Sequence, residues 1–232
     1  MNPLAIVISA NIAAAFVLFC GIKLFDLGSD FAELIRRHGA FLGLVVALVT
    51  IFNFLLTDTA EILNSDLIFW TVFVSMICFA ILGRLTDLIK VKLLSHKRGK
   101  TKKHASPSAL SVVTIVLIEL IIGIIYGLVA GVSFIVTTGT GVMVLCALIL
   151  LRIIGKVETI RQYQEAGFSR RQNIVALVIS FCASPIAAII TYLFLRGNYR
   201  SAGVLMATAA GFLIYISLYR ALTVIVKKYK NR

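Results

Sequence analysis

Glu119, Tyr126, Asn53 and Arg220 are the polar residues of this chain hardest to place, because each is embedded in a long apolar run. An ionisable group at membrane depth must be paired, neutralised or set on a solute path, and a neutral polar group there needs a hydrogen-bond partner, so each is a candidate site residue. Glu119 stands about nine residues into its run from the cytoplasmic side, roughly 13 Å deep at 1.5 Å per residue. Arg220 stands about six residues from the end of the last run, roughly 9 Å deep. An ion pair between Glu119 and Arg220 is one expectation. The alternative, of equal weight, is that Arg220 snorkels to the interface and Glu119 is protonated. Glu119 would supply charge compensation, and Tyr126 and Asn53 polar contacts. For Asn53 a helix-packing hydrogen bond is a more common use than a ligand.

Catalytic chemistry finds no residues to carry it. The histidines, His38, His96 and His104, fall in loops or at their edge, so no Ser-His or His-metal constellation is expected at membrane depth. Neither a paired-aspartate protease motif nor a Gly-rich phosphate loop is present. Cys20, Cys78, Cys146 and Cys182 stand singly in separate apolar stretches, without the spacing of a zinc knuckle or a disulfide framework. They read as small buried apolar residues. The expectation is no enzyme, no cofactor and no protein-held metal.

What must position the candidates is a membrane bundle. With 232 residues, 60% hydrophobic and 14% charged, the composition lies outside that of water-soluble domains. Continuous apolar runs exclude a transmembrane barrel, whose strands alternate. Seven runs, near 4–24, 39–57, 66–85, 110–134, 138–155, 173–195 and 202–226, predict an all-α polytopic bundle forming a single membrane domain.

Lys and Arg total 23 against 10 Asp and Glu. In a polytopic chain that surplus reads as loops held inside, and a nucleic-acid partner is not expected. The basic loop at 91–107 and the segment holding Lys156, Arg161, Arg170 and Arg171 are expected in the cytoplasm, the acids Asp58, Glu61 and Asp66 outside. This gives an external N-terminus on a retained first span, a cytoplasmic C-terminus and a plasma-membrane location. The 91–107 loop could engage anionic lipid headgroups. A homo-oligomer is a further candidate assembly. A retinal protein is excluded by the lack of a mid-membrane lysine in the last run.

Gly123, Gly127 and Gly131 share one face of the fourth run, and Gly203, Ala207 and Gly211 one face of the seventh. Such stripes bring backbones close and read first as helix packing, and second as a solute pathway. Pro185 in the sixth run frees one carbonyl and predicts a kink.

Residues 95 to about 220 hold the loop Ser95-His96-Lys97-Arg98-Gly99-Lys100-Thr101-Lys102-Lys103-His104 and the run Ile122–Phe134. They also hold Gly167-Phe168-Ser169-Arg170-Arg171-Gln172, Ser184-Pro185-Ile186-Ala187-Ala188 and Ala209-Ala210-Gly211-Phe212-Leu213-Ile214-Tyr215. In that order and spacing the chain resembles the ZIP family of divalent-metal transporters. Leu55-Leu56-Thr57-Asp58 stands where the family has Leu-Leu-Pro-Glu. The family carries His-x-x-x-acid-Gly in its fourth helix and His-x-x-Pro-Glu-Gly in its fifth. On those spacings Ile122, Tyr126, Leu151 and Gly155 occupy the ligand positions, and none supplies the carboxylate and imidazole set a divalent ion requires. The family also has an eighth helix.

The resemblance implies a transporter frame without its metal site, moving a small solute or cation through an altered one. The rival is a non-transporting membrane scaffold or interaction protein. A water-accessible polar cavity reaching Glu119 would favour transport, and a dry, closed bundle the scaffold.

Overall fold

The computed structural model describes residues 3–27, 41–95, 109–135, 137–165 and 167–230. Among these the chain is helical, without strands, as continuous apolar runs require. The helices are α1 (Pro3–Leu27), α2 (Phe41–Ala60), α3 (Ser65–Ser95), α4 (Ala109–Ser133), α5 (Thr138–Glu165), α6 (Arg170–Leu195) and α7 (Tyr199–Lys230). Five, α2, α3, α4, α6 and α7, contain segments long and apolar enough to cross a bilayer. Among the described residues the apolar stretches of α1 and α5 are shorter, Leu4–Leu18 and Thr138–Ile153. The α5 helix itself continues to Glu165.

Two expected boundaries change accordingly. Charge places Lys156 in a loop after the fifth run, yet it lies inside α5 and is buried. The expected 91–107 loop begins within α3, which runs to Ser95 because its last turns hold Lys and Leu with neither Gly nor Pro to stop them. Residues 96–108, with His96, His104 and most of that basic run, lie outside the described residues, as does His38.

The most extensive packing joins α4 to α6. A Cβ at Gly123 would strike the Ser180 carbonyl. One at Gly127 would lie 2.7 Å from the Ala187 Cβ, and one at Gly131 2.9 Å from the Ala188 Cα. Where lipid supplies little hydrophobic drive between helices, this near contact of backbones is what holds them. The second stripe serves other neighbours: Gly203 meets Ile62 and Leu63 after α2, and Gly211 meets Val72 and Ser75 of α3. Helix α1 packs in the angle between α5 and α6, and α3 flanks the bundle against α7.

Outward faces are apolar because their solvent is lipid. Phe69, Trp70 and Phe73 of α3 stack on one another at the exposed surface. The same inversion corrects the expectation for cysteine: Cys78, Cys146 and Cys182 are exposed and Cys20 half-buried, all as free thiols.

Local sequence sets the entry to α6. Gly167 takes φ 84°, and Ser169 caps the helix. The Ser169 hydroxyl accepts from the Gln172 amide at 3.3 Å, while the Gln172 side chain accepts from the Ser169 amide at 2.9 Å. Gly-x-Ser-x-x-Gln is thus a turn followed by a capping box. That motif gave the resemblance its most specific support, and helix-starting physics alone accounts for its Gly, Ser and Gln.

At the opposite end, Asp58 of α2 accepts from Thr140 at 2.5 Å and from Thr137 at 3.3 Å, tying α2 to the start of α5. Because the carboxylate is only half-buried, Asp58→Ala should cost about 1 kcal/mol, and Asp58→Asn, which keeps an acceptor, less than half of that. Detergent-phase melting of the two variants checks the order.

Candidate functional site

The polar centre forms where α5 presents one face to α4 and α6. Arg152 and Lys156 stand one turn apart on that face, and Tyr163 stands two turns beyond Lys156. All three are buried, with Arg152 3% and Lys156 5% exposed. Across from them α4 contributes Glu119, 1% exposed, and Tyr126 two turns further on. The two helices are joined by a short turn, so Lys156 comes level with Glu119 and Arg152 with Tyr126.

Among the described residues, two donors on α5 hold the Glu119 carboxylate. Lys156 Nζ pairs with Oε2, and the Tyr163 hydroxyl donates to Oε1 at 3.0 Å. Tyr163 is itself buried. Its ring packs at 5.6 Å from Phe168, so the turn before α6 supports the same contact. The expected partner Arg220 has its side chain outside the described residues.

Arg152 is held differently. Nη2 donates to the Ser180 carbonyl at 2.9 Å and to the Ser180 hydroxyl at 3.2 Å. Its guanidinium lies 4.7 Å from the Tyr126 ring centre and 5.1 Å from that of Phe181, an arrangement that favours a cation over each face. Pro185 helps to shape this turn of α6: it has no amide hydrogen to give the Phe181 carbonyl, and the neighbouring Ser180 carbonyl turns to Arg152. Tyr126 also packs edge-on to Phe212, which meets Phe79 in turn, so the site is braced from α7 and α3.

A small cavity adjoins Arg152, lined by Asn11 of α1, Tyr126, Leu148, Phe181 and Ser184 among others. It has room for about one water-sized occupant, about 10 Å³. Glu119 is not among its walls.

Of the residues singled out from sequence, Glu119 and Tyr126 come together along this seam and Asn53 does not. Asn53 lies in the π-helical turn Ile51–Leu55 of α2 and faces outward. The wider turn rotates the helix past the register that 3.6 periodicity anticipates, and Thr57 bonds back to Phe52 at 3.0 Å, five residues earlier.

Arg152, Lys156 and Tyr163 are the residues sequence reasoning missed. Their signal was present as i, i+4 and i+11 positions on one face, spaced like Glu119 and Tyr126 on α4. The buried α5 face holding them also lies one position beyond Leu151 and Gly155. Leu151 is packed into the apolar core.

Chemically, among the described residues the seam sets two cations, Arg152 and Lys156, against one carboxylate, Glu119. Among the described residues no group of three or more His, Cys, Asp or Glu is placed to hold a metal ion. Glu119, the acid at the centre, is already engaged by an ammonium. No protein-family model matches the chain, and neither a curated protein nor a solved structure shows a significant match to it.

Proposed function

We propose that this chain is a seven-crossing membrane protein on a ZIP-like frame whose central site is filled by its own cations, leaving it a non-transporting membrane scaffold or interaction protein with respect to divalent metals. The observation that carries the reading is the pairing of Lys156 with Glu119 beside a second buried cation, Arg152. One step along α5 from the notional ligand positions, the segment Arg152-Ile153-Ile154-Gly155-Lys156 runs parallel to His-x-x-Pro-Glu, with a guanidinium for the imidazole and an ammonium for the carboxylate. A divalent cation entering there would meet like charge in a medium of low dielectric, where repulsion is strong. The fixed charges would do structurally what a bound metal does, drawing α4 and α5 together through opposite charge.

The orientation proposed with it is an external N-terminus and cytoplasmic C-terminus in the plasma membrane, with the basic segment after α3 inside.

A second reading, passage of a small solute through an altered site, draws on the cavity beside Arg152. Uptake assays separate the two. Vesicles reconstituted with the full chain should take up zinc, manganese and iron(II) no faster than empty vesicles. Saturable uptake of any of these, lost in Glu119→Gln, would overturn the reading.

A further inference from the structure

Lys156 is matched by Glu119, whereas Arg152 faces no carboxylate among the described residues. It donates to neutral oxygens of Ser180 and lies between two rings, and its Nε finds no partner among the described residues. A guanidinium does not give up its proton in a protein, so burial leaves a full positive charge with only partial compensation. A buried charge of this kind is costly unless it is matched by an opposite one. Against it lies the cavity, with hydroxyl-bearing Tyr126 and Ser184 and the Asn11 amide in its walls, which are otherwise mostly apolar, Leu145 and Leu148 among them.

We propose that this cavity binds one monatomic, monovalent anion, a halide, with Arg152 as its counter-charge and Tyr126 and Ser184 as the neighbouring hydroxyl donors. Size and charge select the occupant together. Room for about one water-sized body restricts the occupant to a single small ion and excludes tetrahedral sulfate and phosphate. A single negative charge neutralises Arg152, whereas a water molecule would solvate the guanidinium without cancelling its charge. Mostly apolar walls also favour an anion that sheds its hydration readily. The site goes beyond the function proposed above and holds whether or not any solute crosses the bilayer.

The test uses the full chain purified in detergent and exchanged into sodium gluconate. Melting is then followed while sodium chloride, bromide or sulfate replaces gluconate at constant ionic strength. Chloride and bromide should raise the midpoint saturably by several degrees, and sulfate should not. Arg152→Gln should abolish the halide response. Ser184→Ala and Tyr126→Phe, which keep the arginine and the packing, should each shift the chloride half-effect concentration upward about threefold or more, giving a readout even if the Arg152 variant does not fold. Equal stabilisation by sulfate and chloride, or a chloride response unchanged in both hydroxyl variants, would overturn the proposal. Halide binding without anion flux in vesicles would remove the small-solute reading and leave the site standing.

Discussion

Replacing Lys156 with Met should destabilise the protein by about 3–5 kcal/mol, the cost of removing one partner of a buried ion pair. Glu119 is 1% exposed, so water does not reach it to take over from the lost ammonium. Among the described residues the Tyr163 hydroxyl remains as a donor to Glu119, but a neutral donor at 3.0 Å replaces only part of what a charge supplies. For a chain of this length the change corresponds to a fall of roughly 10 °C or more in the melting midpoint. Lys156→Arg should be far milder, because it keeps the charge and has to adjust only geometry. Melting in detergent, read by tryptophan fluorescence at Trp70 and by circular dichroism, checks both variants. A loss below about 1 kcal/mol for Lys156→Met would mean that the carboxylate is satisfied elsewhere.

Gly127→Leu should cost about 3 kcal/mol by overpacking. The obstacle at Gly127 is largely backbone: the Ser184 carbonyl and, at 3.1 Å, the Ala188 amide nitrogen. Side chains can rotate away from an intruding carbon, but a neighbouring helix must move bodily. That movement would open the most extensive helix contact of the molecule and shift Ser180 and Ser184, which serve the Arg152 site. Gly139→Leu is the matched control, since a Cβ there has its nearest neighbour at 4.0 Å, and it should change the midpoint little. Equal effects at the two positions would show that the stripe does not hold α4 to α6.

The frame was legible in the sequence where polarity and spacing act locally. Continuous apolar runs require helices, and glycines four apart mark the face that α4 gives to α6. Glu119 was legible as well, because a lone acid in an apolar run must be compensated. Its partners on α5 were not, for a reason that lies in the same physics. Reading a span's end from the onset of charge assumes that charge marks water, and a buried ion pair breaks that assumption. Lys156 therefore looked like the beginning of a cytoplasmic loop, although α5 continues through it to Glu165. Arg152, inside the run, carried the clearer warning.

Asn53 illustrates a different limit. A π-helical turn adds a residue to one turn of α2, and no composition rule announces where it falls. The cysteines show a third: burial tendencies learned from proteins in water invert on a surface bathed in lipid, where an exposed thiol has no aqueous contact to avoid.

The central claim is that α4 and α5 are locked by a pair of the chain's own charges, and a double-mutant cycle measures that lock directly. Glu119→Gln, Lys156→Met and the two combined would be melted under one condition. The double variant should be closer to wild type than the Lys156 single variant, with a coupling of at least about 2 kcal/mol between the positions, because removing both charges leaves neither stranded. Additive losses at Glu119 and Lys156, with coupling found between Glu119 and Arg220 instead, would contradict the account.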